Sequence, residues 1–443
     1  PNPNLVRHFV SDSEAMAWLF NVSRTQFPYY TFAEFFSVNP NYSTHMYTVD
    51  RNSGMVDFEN RFSRYEFVDD NDDQDRLPDW RRKGWESGDR EVFPGWDENN
   101  DFISDFNQND NEDSPNLIPD YEEPFLRFHT DRPEFLYGID MNHNGTIDRF
   151  ENDELADLPY PRDLRGYNLN SGLHIGSNTR LTVGRLRSES FTSDQRNNAD
   201  YITIVSGLID RRYLSIRLFQ DLRKVKDTIP NDLFQWTQLA NTRGSSRLVP
   251  DLVAATDTWI NTTWLGLEIN GKPGLRMESK LKWQFYNQLG DRIKLVLRGI
   301  RAKSKFFGVV NKIEYLINLR KSVLIVRWKS EYRDESPIST DMPMRREFDQ
   351  FFSALMRLPI LRSSFIECGV EYERFSQLRT PTPGGLSDDF RGLVSTAQLS
   401  NVSEYQGYRL TTTIGMEIAR RNFEFTEVET RTRGFVAVYA GVE

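Results

Sequence analysis

The chain has 443 residues, a formal net charge of −10, 38% hydrophobic and 13% aromatic residues, and a single cysteine, Cys368. One cysteine excludes an internal disulfide framework and any zinc or iron–sulfur site built on cysteines. No apolar run approaches the ~18–20 residues of a transmembrane helix, and no basic stripe suits DNA or RNA. A start at Pro1, without methionine or a signal peptide, fits a processed exported protein. The charge is uneven: residues 69–123 hold 19 Asp and Glu against 5 Lys and Arg, so the acidity belongs to one segment and the rest is near balance.

Three regions follow from these shifts in texture: 1–68, 69–164 and 165–443. In the first, Ser11-Asp-Ser-Glu14 has capping-box spacing before Ala15, Met16, Trp18, Leu19 and Phe20, which predicts a short amphipathic helix. His45 to Asp50 and Met55 to Val68 flank Asn52-Ser-Gly54, which has hairpin chemistry, and are expected to form the first barrel hairpin.

The second region is punctuated by Pro, Gly, Asn and Asp, so a bound cation is expected to supply the order that a small apolar core cannot. Asp140, Asn142, Asn144, Thr146, Asp148 and Glu151 occupy positions 1, 3, 5, 7, 9 and 12 of a calcium loop, with Gly145 at the turn and Ile147 at position 8. Upstream, Asn71, Asp73, Asp75 and Asp79 repeat the oxygen spacing. So do Asp97, Asn99, Asp101 and Asp105, and then Asp105, Asn107, Asn109 and Asp113. Residues 140–151 resemble the EF-hand loop at its twelve positions, and look more like the helix-poor calcium loops of dockerins and thrombospondin type 3 repeats. The upstream strings are similar to the thrombospondin type 3 loop, although Arg76, Phe102 and Asp110 replace the turn glycine. The resemblance implies Ca2+ as cofactor, held by these side chains.

From Arg165 onwards the chain alternates between apolar and polar residues. Tyr408, Leu410, Thr412, Ile414, Met416 and Ile418 share one face, against Arg409, Thr411, Thr413, Gly415, Glu417 and Ala419 on the other. Leu275 to Phe285, Phe307 to Leu319 and Ile366 to Tyr372 repeat the scheme. Several runs exceed ten residues, whereas soluble strands cluster at about 5–6 and a tilted spanning strand needs about 9–11. The fold class predicted is all-β: an antiparallel transmembrane barrel of about 14–18 strands carrying an acidic, irregular calcium-binding insert. Breaks at residues 270–273, 289–291 and 319–321 are expected to be hairpins, and 226–256, 334–344 and 379–389 larger loops. Counted this way, the long connections do not fall at one end. Trp259, Trp264, Trp283 and Trp328 suit either interfacial girdles or a core.

The alternation resembles porin-like outer-membrane barrels of Gram-negative-type bacteria. That resemblance implies contact with outer-membrane lipid and a channel for solutes, or a sheath around a membrane-crossing protein partner in the lumen or at the mouth. A calcium-dependent adhesion or scaffold protein anchored by the barrel, and a soluble secreted carbohydrate-binding protein, remain open alternatives. No catalytic role is expected. His8, His45, His129, His143 and His174 lie in no motif, and Glu367, Glu371 and Glu373 read as lumen-lining charge.

Overall fold

The structure is a computed structural model. It describes residues 16–42, 48–49, 56–57, 127–128, 131, 135, 160, 162–229, 233–237, 245–249, 256–271, 273–340, 343–361, 363–379, 387, 389–405, 408–425 and 427–442. The strands in chain order begin with β1 (Ala17–Gln26), β2 (Tyr29–Val38), β3 (Thr48–Val49), β4 (Val56–Asp57), β5 (Leu164–Ile175), β6 (Thr179–Ser190), β7 (Arg196–Arg211) and β8 (Leu214–Asp227). They continue with β9 (Leu233–Thr237), β10 (Ser245–Val249), β11 (Thr256–Ile269), β12 (Leu275–Gln288), β13 (Lys303–Asn318) and β14 (Val323–Ser336). The last are β15 (Arg345–Leu361), β16 (Ser364–Arg379), β17 (Phe390–Tyr405), β18 (Tyr408–Phe423) and β19 (Glu429–Val442), and one helix, α1 (Arg292–Leu297), precedes β13.

Fifteen strands form one antiparallel meander in the order β1-β2-β5-β6-β7-β8-β11-β12-β13-β14-β15-β16-β17-β18-β19. Every ladder of this sheet joins neighbours in the series, and among the described residues none joins β1 to β19, while β9-β10 and β3-β4 form two separate two-stranded sheets. With an odd number of antiparallel strands, these two edges run in the same sense.

The connections segregate by length. One end has residues 27–28, 176–178, 212–213, 270–274, 319–322, 362–363 and 406–407, all connections of two to five residues. The opposite end has 39–163, 191–195, 228–255, 289–302, 337–344, 380–389 and 424–428. The expectation that long connections are scattered is thereby corrected. Residues 289–291 are not a hairpin turn but the start of a longer crossing that holds α1, whose N-cap Asp291 accepts from the amide of Ile293. Reading them as a tight turn inverted the ends of later strands.

Two further expectations differ. Trp18, Leu19 and Phe20 lie in β1 rather than in a helix, because pairing along all of Ala17–Gln26 with the aromatic run of β2 outweighs their local helical spacing. The first hairpin of the large sheet is therefore β1-β2, and the described parts of residues 45–68 pair only with each other, as β3-β4.

Alternation is inverted relative to a soluble sheet. On β16, Glu371 is 0% exposed while its neighbours Val370 and Tyr372 are exposed, and on β18 Ile414, Met416 and Ile418 are all exposed. On β8 the buried row is Phe219, Asp221, Arg223, Val225 and Asp227. Polar and charged side chains therefore face the enclosed side, and aliphatic and aromatic ones face outwards. Lipid is the solvent that suits such an exterior, and the architecture is a transmembrane β-barrel of the bacterial outer-membrane type. Trp259 and Trp283 are on the outer face, whereas Trp264 is inward, opposite buried Lys282 and Phe219.

Part of the interior is packed rather than open. Leu186, Ala199, Tyr201, Val225, Ile260 and Tyr286 form an apolar cluster on β6 to β12, and Ile338 of the 337–344 connection packs on it. A Cβ on Gly184 would lie 2.2 Å from the Tyr201 ring, so the glycine leaves the space in which that ring lies flat and donates from its hydroxyl to Asn168 Oδ1 at 3.0 Å. Gly184→Val is expected to cost about 1–3 kcal/mol in urea unfolding from lipid vesicles, while Gly207→Ala, whose nearest neighbour is 3.8 Å away, leaves the midpoint unchanged. Equal midpoints for the two variants would contradict this packing.

Candidate functional site: a charged lumen occupied by its own chain

The 39–163 connection sends a short segment into the lumen. Its described residues Arg127, Phe128, Asp131 and Phe135 are all buried, and they touch five consecutive strands, β12 to β16. The wall dictates why they fit. In the β13-β14 ladder Lys312 stands directly opposite Lys329, a like-charge pair that destabilises a sheet unless a counter-charge lies between them.

Asp131 is that counter-charge. Its carboxylate lies 2.7 Å from Lys312 Nζ and 3.6 Å from Lys329 Nζ, and it accepts from Lys280 Nζ at 2.6 Å. Glu278 lies 2.9 Å from Lys280, and Glu331 lies 2.6 Å from Lys329, so three ammoniums and three carboxylates form one neutral cluster. Burial alone would push the Asp131 carboxyl up. The adjacent ammoniums of Lys280, Lys312 and Lys329 outweigh burial and hold it far below the usual carboxylate range.

Arg127 satisfies the opposite sign. Its guanidinium pairs with Glu371, and with Glu373 at 2.5 Å, two residues apart on the inward face of β16. Its face lies 4.8 Å from the centre of the Phe351 ring, and its carbonyl accepts from Lys329 Nζ at 2.5 Å. A cation and an anion four residues apart thus each meet wall charge of the opposite sign.

Apolar contacts complete the seat. Phe135 meets Phe306 edge-on, with ring centres 5.6 Å apart, and packs on Val310. A Cβ on Gly308 would lie 2.5 Å from the Phe135 ring, so this glycine makes the hole that the ring fills. The Arg327 guanidinium lies 5.1 Å from the Phe128 ring centre and bonds Glu314 at 2.8 Å. Later in the same connection, Tyr160 stacks on Phe36 with ring centres 4.4 Å apart. At the start of β5, Asp163 accepts from Ser190 Oγ at 2.7 Å and from the amides of Phe191 and Thr192.

Beside Arg127 a cavity of about 180 Å³ remains, walled on β18 and β19 by Glu417, Arg421, Glu429, Arg431 and Arg433.

Of the residues singled out from sequence, Glu367, Glu371 and Glu373 are on the lumen face, and the latter two bind Arg127. The calcium-loop residues Asp140, Asn142, Asn144, Thr146, Asp148, Glu151, Asn71, Asp73, Asp75, Asp79, Asp97, Asn99, Asp101, Asp105, Asn107, Asn109 and Asp113 lie outside the described residues. Among the described residues no group of three or more His, Cys, Asp or Glu is placed to hold a metal. Arg127, Asp131 and Phe135 went unnoticed in the sequence. Their signal was indirect, in the inward lysines that recur on three successive strands.

No family model matches the chain, and no curated protein matches it in sequence. Among solved structures it is similar to OmpT, an outer membrane protein of Vibrio cholerae folded in vitro, at 7% identity and a TM-score of 0.27 over 63% of this chain and 90% of that one. It is similar to the ferric citrate transporter FecA in its unliganded form at 10% identity and a TM-score of 0.28, covering 62% of this chain and 53% of that one. A third is the CymD monoaromatic hydrocarbon channel, at 10% identity and 0.22 over 62% and 81%. Identities and scores of this size place the chain in none of those families.

Because the Asp131 pKa is lowered when docked, its contribution is complete above the free carboxylate value of about 3.9 and fades as pH falls below it towards the docked value. Hydrogen exchange over residues 125–137 is therefore expected to stay equally slow, after correction for intrinsic rates, from pH 8 to about pH 5. Opening of the segment within that range would contradict the cluster.

Proposed function

We propose that this outer-membrane barrel is a gated channel for hydrophilic solutes, closed by the segment that contains Arg127, Asp131 and Phe135. The observation that carries the reading is the seating of those residues on a lumen wall whose charges they neutralise. A passive anchor needs no charged interior, and a sheath for a second protein needs the space that the segment fills. Gating follows from electrostatics: ion clusters hold a segment firmly while leaving it exchangeable for other ions, which a continuous apolar core does not.

Orientation follows from the segregated connections. Barrels of this type keep short turns on the periplasmic side and long loops outside, so the 39–163 insert starts and returns at the external mouth. The segment then enters from outside, on the side from which solutes arrive.

The reading also includes calcium. Residues 140–151 lie between the lumen anchor Phe135 and the wall anchor Tyr160, and their oxygen spacing suits one hard cation, with the upstream Asp and Asn strings as further sites. Calcium would shorten and stiffen the tether by which the segment hangs. Calorimetry on the detergent-folded chain is expected to show calcium heat that Asp140→Ala with Glu151→Ala reduces. Unchanged heat in that variant, or none in the parent, would remove calcium from the account.

Planar bilayers test the gate. The parent chain is expected to be mostly closed, and a variant with Arg127→Ser, Asp131→Ser and Phe135→Ser to conduct steadily. A folded variant that stays closed at all voltages would contradict the channel.

A further inference from the structure

We infer that Lys280, Lys312 and Lys329 form an oxyanion receptor for solutes bearing a carboxylate or phosphate group, and that Asp131 is a built-in occupant which such a solute displaces. The inference rests on the channel reading for its role, while the binding event stands on the geometry of the lysines themselves.

Three ammoniums from three adjacent strands converge on one carboxylate, at 2.6, 2.7 and 3.6 Å. The Lys312 and Lys329 side chains are 7% and 3% exposed, so the receptor is enclosed rather than a surface patch. Glu278 and Glu331 supply two of the three negative charges that the lysines require. Withdrawal of Asp131 alone would take a carboxylate away from Lys312 and Lys329, which stand opposite each other in the ladder. An arriving oxyanion makes up that loss, since it presents the same oxygens to the same donors. Exchange is therefore favoured over simple opening, and the gate responds to the chemistry of what it admits.

Arg421, two residues from the end of β18, and Arg431 and Arg433, near the start of β19, share with Glu373, Glu417 and Glu429 the cavity beside Arg127, so that cavity carries both signs of charge.

Asp131 competes from within the chain, at an effective concentration in the millimolar range or above. Removing its charge therefore unmasks the site. Calorimetry with inorganic phosphate, and separately with malonate, on the detergent-folded full chain is expected to show one site in Asp131→Asn that binds at least about tenfold more tightly than in the parent. Adding Lys312→Gln and Lys329→Gln to that variant should abolish the binding. A preference for phosphate or for malonate would identify the source of the oxyanion. The parent supplies an independent reading through tryptic cleavage after Arg127, which phosphate should accelerate and chloride at equal ionic strength should not. Failure of Asp131→Asn to bind either anion, binding that survives loss of both lysines, or equal effects of phosphate and chloride on cleavage would each overturn the receptor. The conductance of the triple serine variant judges the channel separately.

Discussion

Buried charge must be neutralised, and the lumen of this barrel is organised around that requirement. An exterior committed to aliphatic and aromatic side chains leaves every second residue of each strand facing inwards, where lysine, arginine, glutamate and aspartate are crowded into a small volume. Some charges are settled within the wall, as Arg223 with Asp221 at 2.6 Å on β8, or Arg333 with Glu347 between β14 and β15. Elsewhere like charges adjoin: Lys312 faces Lys329, and Glu371 lies beside Glu373, giving two poles of opposite sign.

The inserted segment answers both poles with one short stretch of chain. Arg127 goes to the glutamates and Asp131 to the lysines, while Phe135 fills the hole left by Gly308. Aromatic packing fixes where the segment sits, and the ion clusters fix the terms on which it leaves. A segment held by exchangeable charges can be replaced by ions of the same sign, and on the proposed reading the device that closes the lumen would also sense what is presented to it.

Much of the architecture was legible in the sequence, because a two-residue period over ten or more positions has one common physical cause. β12, β13, β16 and β18 could be read from their alternation, and the lumen placement of Glu371 and Glu373 followed from it. β2 was missed since Tyr29-Tyr-Thr-Phe-Ala-Glu-Phe-Phe36 carries aromatics on both faces and hides its period. β1 was misread as helix since Trp18, Leu19 and Phe20 satisfy a helical stripe until the pairing with β2 is known. The closing segment was not legible at all. Nothing in His129-Thr-Asp-Arg-Pro133 marks Asp131, whose role depends on three lysines some 150 to 200 residues away in the chain. The calcium-type strings drew attention to neighbouring residues instead.

The claim on which all of this depends is that apolar faces meet lipid and polar faces meet an aqueous or ion-filled lumen. Nitroxide labels placed one at a time along residues 412–420 of β18, in a Cys368→Ser background reconstituted into vesicles, test it most directly. Oxygen, which partitions into lipid, should reach labels at 414, 416 and 418 and much less those at 415, 417 and 419. A water-soluble nickel chelate should not reach the first set. Labels at 414, 416 and 418 shielded from oxygen would mean that these side chains pack on protein rather than lipid, and the channel and its gate would go with them.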